Sequence, residues 1–363
     1  MDIIEPHDTH RLIGHKKQEQ YILSMWKKGK LPHAFLFSGP RGIGKATFAF
    51  RFSRFLLYSD DNKMNGQNGL DFSQEDTSQT LDIPNEANIN RQISNNAHPK
   101  LLVIQRSENI QTKKLRNEIV IDDLRPLRGF LNLKASDAGW RVVIIDTIDD
   151  MNRNTANAIL KLLEEPPKKV VFILISNGGM LLPTITSRCH LLKFLPLSKD
   201  DLASALESFS DISKQSDIDI IHQLSGGSIR LAKEMITLDL LENLTDIMDL
   251  LSRSWPLSGL DIDTIFEKWQ RSLRRNQSLS LEDKIIMVIN WLSEGLVKFN
   301  KVSDKYVARL KNEDLIFNKL VEAHGMENFL YRLKDAEELA RKSKALNLDQ
   351  KETFFGCIQL LTE

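Results

Sequence analysis

The chain has little cysteine, no net charge and no long apolar run, and each shortage excludes a class of protein. Two cysteines among 363 residues, Cys189 and Cys357, are too few for a disulfide framework or a four-ligand zinc site. Lys plus Arg and Asp plus Glu each number 49, so no overall positive field would draw the chain onto DNA or an anionic membrane. The longest apolar runs, such as residues 170–175, fall far short of the roughly 20 residues that span a membrane. We therefore expect a soluble cytoplasmic protein with no membrane partner and no zinc.

A glycine-rich loop that follows a short apolar run is the most informative stretch of the chain. Residues 34–37 are apolar and bounded by turn formers, which predicts a buried strand, and residues 46–57 suit a helix. Residues 39–45 between them fit the phosphate-binding pattern G-x-x-x-x-G-K, in which backbone N–H groups close around phosphate oxygens and the lysine reaches the outer phosphates. The nucleotide-binding residues predicted here are Gly39, Gly42, Gly44, Lys45, Ala46 and Thr47.

One position of the loop departs from the pattern. A Ser or Thr normally follows the lysine and its hydroxyl holds Mg²⁺, but this chain has Ala46 there. Thr47 points about 100° further around the helix and should not replace the missing ligand. We therefore expect at most weak binding of ATP and Mg²⁺.

Downstream of the loop, strands and helices alternate. Residues 101–104, 141–146 and 170–176 are apolar runs typical of buried strands, and residues 156–163 carry a helical apolar stripe. This alternation predicts an α/β fold with a parallel sheet, in which Asp146 lies at the carboxyl edge. Residues 59–97 are polar and without period, which predicts a long mobile insertion. Residues 119–125 look like a short strand that turns into a helix.

Beyond residue 196 the strand signals stop and helical spacing takes over. Apolar stripes recur at Ile285, Val288, Ile289, Leu292 and Leu296, and again at Phe354, Cys357, Ile358 and Leu361. Cys357 is thereby predicted to be a core residue. We predict three domains: a nucleotide-binding domain over 1–196 with the 59–97 insertion, a helical lid over 197–245, and a helical C-terminal domain over 246–363.

Several motifs occur together in a fixed order. They are His33-Ala34 before GPRGIGKAT, His98-Pro99, WRVVIID ending at Asp146, NAILKLLEEPP over 157–167 and LLPTITSRC over 181–189. In this combination the chain resembles the clamp-loader subunits of bacterial DNA polymerase III, members of the AAA+ superfamily, and specifically the delta-prime subunit family. The resemblance covers most of residues 10–235 and thins in the helical C-terminal third.

The resemblance implies a function and partners. It implies ATP-dependent loading of the sliding clamp on primed DNA, with gamma/tau and delta subunits as partners, DNA contacted only through the complex, and the C-terminal domain as the oligomerisation region. It also implies site residues: Lys45 on phosphate, Asp146 near magnesium, Asn177 or Ser176 as a sensor, Arg230 as a second sensor, and Arg188 as an arginine finger acting on a neighbouring subunit.

Two departures from the family bear on activity. An ATP-hydrolysing relative would have glutamate after Asp146, but this chain has Thr147, which cannot accept a proton from water. Asp149 and Asp150 lie farther along as weak substitutes. The four-cysteine zinc module that relatives often carry is also missing, since residues 59–97 contain no cysteine. Ala46 and Thr147 together lead us to expect a poor or inactive ATPase, and the resemblance implies a subunit of the polymerase holoenzyme that is not itself the polymerase.

Other interpretations stay open at this point. The chain could be an ATP-hydrolysing motor subunit of the gamma/tau type, or a small-molecule P-loop kinase. Arg188 and Arg230 could be ordinary surface residues, and Asp146 could be a helix cap. His33 and His98 are expected to serve packing or turn hydrogen bonds, because no partner lies at metal-ligand spacing.

Overall fold

The computed structural model of the protein describes most of the chain, and its described residues divide into two compact units. The described residues are 5–9, 11–64, 79–108, 115–132, 139–179, 181–207, 215–237, 239–275, 280–301 and 308–362. The described residues of the first unit lie within 2–208 and 227–230, and those of the second lie within 209–226 and 231–363. The boundaries predicted near 196 and 245 are not tested by this division and stay predictions.

A five-stranded parallel sheet forms the centre of the first unit. Its strands are β1 Ala34–Ser38, β2 Leu101–Gln105, β3 Arg141–Asp146, β4 Val170–Ser176 and β5 His190–Lys193, in the order β2-β3-β4-β1-β5. All seven residues of β4 are buried, as expected for a strand covered on both faces. The predicted α/β fold with a parallel sheet is confirmed, and β5 is a strand that the sequence did not predict.

Helices cover both faces of this sheet. The helices of this unit are α1 Lys16–Lys27, α2 Lys45–Met64, α3 Asn88–Ser94, α4 Arg125–Leu131, α5 Arg153–Glu164, α6 Pro183–Thr186 and α7 Lys199–Glu207. One core layer packs α1, α2 and α3 against side chains such as Phe35 and Phe37 of β1. The other packs α4 and α5 against Leu36 of the same strand. Because successive strand residues point to opposite faces, a single strand contributes to both layers.

Two predictions about the first unit are wrong in part. Residues 59–64 continue α2, and Leu81, Ile89 and Ile93 are buried in the core, so the polar stretch 59–97 is structured at both ends. Ile89 and Ile93 lie four residues apart and share one face of α3, which scattered polar neighbours concealed. Residues 65–78 lie outside the described residues. Ile121–Leu124 form a 3-10 helix, not a strand, and lead into α4.

The second unit is helical. Its helices are α8 Gln215–Ser225, α9 Ile229–Thr237, whose first two residues belong to the first unit, α10 Leu240–Ser252, α11 Gly259–Arg275, α12 Leu281–Lys301, α13 Glu313–His324, α14 Met326–Leu346 and α15 Gln350–Thr362. Both predicted apolar stripes are buried in one core, which confirms them. Burial also raises the pKa of Cys357 to about 12, so this thiol is a core group. No helix among the described residues is both long and apolar enough to cross a membrane.

Candidate functional site

The glycine-rich loop joins the end of β1 to the start of α2. Lys45, the first residue of α2, is only 3% exposed. Its Nζ donates hydrogen bonds to the backbone oxygens of Gly39, at 2.8 Å, and of Pro40. The lysine thus holds the loop wrapped around its own ammonium group, in the compact shape that a phosphate-binding loop needs.

Lys45 and the carboxylates near it affect each other's pKa values. Burial lowers the pKa of Lys45 to about 8, although the charges of Asp146 and Asp149 oppose the shift. Burial likewise raises the pKa of Asp146, and the charge of Lys45 is the main opposing effect. Lys45 therefore keeps its proton at neutral pH, as a phosphate ligand must.

Residues 227–230, which are distant from the loop in sequence but belong to the same unit, lie against the loop. The backbone N–H of Arg230 donates to the oxygen of Gly42 at 3.1 Å, and that of Leu197 donates to Gly227 at 3.0 Å. Gly42 has a φ of +79°, and a Cβ there would lie 2.4 Å from Ser228 Oγ and 2.8 Å from Arg230 Cβ. Only glycine fits this position, because both the backbone conformation and the space exclude a side chain.

Replacing Gly42 by alanine is expected to displace residues 227–230 from the loop. A non-glycine residue at positive φ costs about 1–3 kcal/mol, and here a steric clash is added. The amide of Arg230 should then lose protection in hydrogen exchange. Gly29→Ala is the matched control, since Gly29 also has positive φ, +63°, but apart from its chain neighbours no atom of the described residues lies within 4 Å of an added Cβ. Equal protection of Arg230 in Gly42→Ala and in the unmutated protein would contradict the expectation.

The predicted sensor residues lie at the end of β4, beside Asp149. The Ser176 hydroxyl donates to Asp149 Oδ1 at 2.9 Å, and the backbone N–H of Asn177 donates to Oδ2. Asp150 forms an ion pair with Arg106 at 3.3 Å. Both acids considered as substitutes for a catalytic glutamate are therefore engaged in holding the protein's own chain.

The predicted nucleotide-binding residues come together at the carboxyl edge of the sheet. This edge collects Gly39, Gly42, Gly44, Lys45, Ala46, Thr47, Asp146, Asn177 and Arg230. The loop and lysine fit a phosphate group. The fit to Mg²⁺ is poor, because Ala46 has no side-chain oxygen where a Ser or Thr hydroxyl normally holds the ion, and Asp146 is the one carboxylate of the predicted set. The described part of the chain also holds no group of three metal-ligating side chains.

His15 is a residue of this site whose role the sequence did not reveal. Its Nε2 lies 2.7 Å from the backbone oxygen of Ile43, and since a carbonyl only accepts, Nε2 carries the hydrogen. Its ring packs edge-on against Phe194 at 4.9 Å. Burial lowers the pKa of His15, so the ring is neutral at pH 7 and fixes the loop just before Gly44. The only signal was the Leu-Ile-Gly-His sequence before α1.

Arg188 lies near the amino-terminal ends of the parallel strands, whereas the glycine-rich loop lies at their carboxyl-terminal ends. Its guanidinium forms an ion pair with Glu164 at 2.7 Å and donates to the Thr184 oxygen at 2.8 Å, and its side chain is about one third exposed. His190 pairs with Phe35 near the start of β1, whereas the loop follows Ser38 at the end of that strand. Three strand residues span about 10 Å. Arg188 is thus remote from the site of its own chain.

His33 and His98 make hydrogen bonds with backbone groups, His33 across the fold and His98 within a turn, in line with the expected packing and turn roles. His33 Nε2 lies 3.1 Å from the backbone oxygen of Leu163. His98 Nδ1 accepts from the backbone N–H of Lys100 at 3.2 Å, in the turn before β2.

DNA polymerase III subunits are among the known proteins similar to this chain. A family model described as DNA polymerase III, delta subunit, matches residues 14–198, about half of the chain. DNA polymerase III subunit tau of Bacillus subtilis is 24% identical over 240 residues, which cover 64% of this chain and 38% of that protein. DNA polymerase III subunit delta' of Pseudomonas aeruginosa is 34% identical over 158 residues, which cover 43% of this chain and 41% of that protein. The chain thus spans about two fifths of the length of these two relatives.

Among solved structures, a DNA polymerase III gamma subunit-related protein from Thermotoga maritima is similar with a TM-score of 0.40 and 17% identity. The match covers 94% of this chain and 98% of that one.

Proposed function

The chain belongs to the DNA polymerase III, delta subunit, family of AAA+ clamp-loader proteins, and from this premise we propose that it is the delta-prime-type subunit of such a loader. In this role it joins gamma/tau and delta subunits in the cytoplasm and takes part in ATP-dependent loading of the sliding clamp on primed DNA. It contacts the DNA only through the complex. The partial match to a delta' subunit supports this assignment.

Arg188 is the residue on which the proposal rests. Phosphoryl transfer spreads negative charge over the γ-phosphate oxygens, and a planar guanidinium can contact two of them at once. Arg188 lies at the sheet edge away from the loop that contains Lys45, and its side chain is partly exposed. This position supports a role on the nucleotide of a neighbouring subunit, because the arginine is remote from the loop of its own chain.

The loop edge supports the second half of the proposal, that this chain hydrolyses ATP poorly. Ala46 and Thr147 replace a magnesium ligand and a catalytic acid, and Asp149 is bound to Ser176 and to the backbone of Asn177. Lys45 and the glycines keep the phosphate-binding shape, so weak nucleotide binding through them is part of the proposal.

A motor subunit of the gamma/tau type is the second candidate. The longer match to a tau subunit, over 64% of this chain, and the intact lysine favour it. Ala46 and Thr147 oppose it, since a motor needs the groups that these residues replace.

Turnover by the isolated chain separates the two candidates. We expect steady ATP hydrolysis well below about 1 s⁻¹, the lower end of usual enzyme rates. We also expect a stable complex when the chain is mixed with gamma/tau and delta subunits, measured by light scattering after gel filtration. Turnover at 1 s⁻¹ or faster favours the motor, and a chain that stays monomeric beside the other subunits contradicts both candidates.

A further inference from the structure

Three of the sequence motifs meet at the amino edge of the sheet, around the end of α5. His33, which precedes β1, hydrogen-bonds through Nε2 to the backbone oxygen of Leu163 at 3.1 Å. Leu163 is buried in the core, and Glu164 is the last residue of α5. The prolines at 166 and 167 prevent the helix from continuing. The position of Glu164 is therefore set by the core on one side and by His33 on the other.

Glu164 in turn holds Arg188. Its Oε1 lies 2.7 Å from one terminal nitrogen of the guanidinium. The other terminal nitrogen donates to the Thr184 oxygen at 2.8 Å and to Ser187 Oγ at 3.2 Å. The group is thus held at both terminal nitrogens. A guanidinium has five N–H donors in a fixed plane, and these three contacts with described residues leave two donors for a further ligand.

We propose that Glu164 is a positioning residue that fixes the plane of the Arg188 guanidinium so that its remaining N–H groups face a neighbouring subunit. The inference rests on the proposed finger role of Arg188. An exposed arginine otherwise samples many rotamers, and ordering it during each encounter costs binding energy that a preorganised group saves. This role would also give a function to the Glu-Glu-Pro-Pro segment in which α5 ends.

The test compares variants of Glu164 in the reconstituted loader. An ion pair between partly exposed side chains has a modest effect, so we expect Glu164→Ala to lower kcat for ATP by about two- to fivefold. The KM for ATP should stay unchanged, because the nucleotide itself is held by another subunit. Glu164→Gln keeps an oxygen that accepts a hydrogen bond and should restore part of the rate. Glu165→Ala, which removes the adjacent exposed carboxylate, is the matched control and should have no effect.

A second pair of variants separates positioning from a general structural effect. In an Arg188→Ala background, Glu164→Ala should produce no further loss, because Glu164 acts only through the arginine. A further loss there, an unmutated rate for Glu164→Ala alone, or a faster rate would each overturn the inference. The proposed function fails in a different way, through an Arg188→Ala loader that retains the full rate. Gel filtration and thermal unfolding of every variant confirm that assembly and folding are intact.

Discussion

Arg188→Ala is expected to fold and assemble normally and yet to lower ATP hydrolysis and clamp loading by the reconstituted loader. A finger of this kind is worth roughly 10³–10⁵ in rate at the site it serves. A loader with several sites loses only the one beside this chain, so the overall rate should fall less. Arg188→Lys should restore only part of the rate, because an ammonium group keeps the charge but lacks the planar pair of N–H donors that can contact two phosphate oxygens. Single-turnover hydrolysis in the assembled loader measures the effect.

The control for this experiment is Arg91→Ala, which removes an exposed arginine on α3 of the same unit. It should leave hydrolysis unchanged. The stability of Arg188→Ala should also change little, because its ion pair with Glu164 is partly exposed, with 33% and 46% of the two side chains accessible. An Arg188→Ala loader that assembles fully and works at the unmutated rate would show that the residue is an ordinary surface arginine.

Of the substitutions discussed, Glu313→Gln is expected to lower the free energy of unfolding most. Glu313, at the start of α13, is fully buried, and its Oε1 accepts from Arg309 Nε at 3.0 Å and from a terminal nitrogen at 2.6 Å. The same guanidinium lies 4.1 Å from the centre of the Trp291 ring. Removing the carboxylate charge leaves the arginine buried without its counter-ion, which costs about 3–5 kcal/mol of the free energy of unfolding. Urea unfolding followed by tryptophan fluorescence measures it.

Glu337→Gln is the matched control for that loss. Glu337 also pairs with an arginine four residues away, Arg341, but 61% of the arginine side chain and 26% of the glutamate side chain are exposed. An exposed pair of this spacing is worth about 0.3–0.5 kcal/mol. If the two variants unfold at the same urea concentration, burial does not distinguish the pairs and the expectation is wrong.

Local sequence patterns were sufficient to predict most of the α/β framework. β3 and β4 are continuous apolar runs, and the loop that ends at Lys45 is a pattern of seven adjacent residues. The stripes of α12 and α15 repeat every three to four residues, and both are buried. All of these signals depend on residues close together in the chain, whose periodicity follows from the geometry of a strand or a helix. β5 escaped because it is short and only Leu192 of its four residues is buried.

The arrangement of the candidate site was decided by contacts between distant parts of the chain. Asp149 could be named as an acid from the sequence, but its engagement by Ser176 depends on the packing of β4 beside β3. The hydrogen bonds from Arg230 to Gly42 and from His15 to Ile43 also join residues that are far apart in the sequence.

The same distinction holds for Arg188. Its motif marks it as a candidate finger, and no local pattern says which edge of the sheet it occupies or that Glu164 holds it. The parallel pairing of β1 with β5 sets the edge, and the end of α5 supplies the carboxylate. Sequence determines the type of each element because backbone and side-chain preferences act over a few residues. Tertiary structure determines which charges meet, because hydrogen bonds and ion pairs require atoms within about 3–4 Å, whatever their separation along the chain.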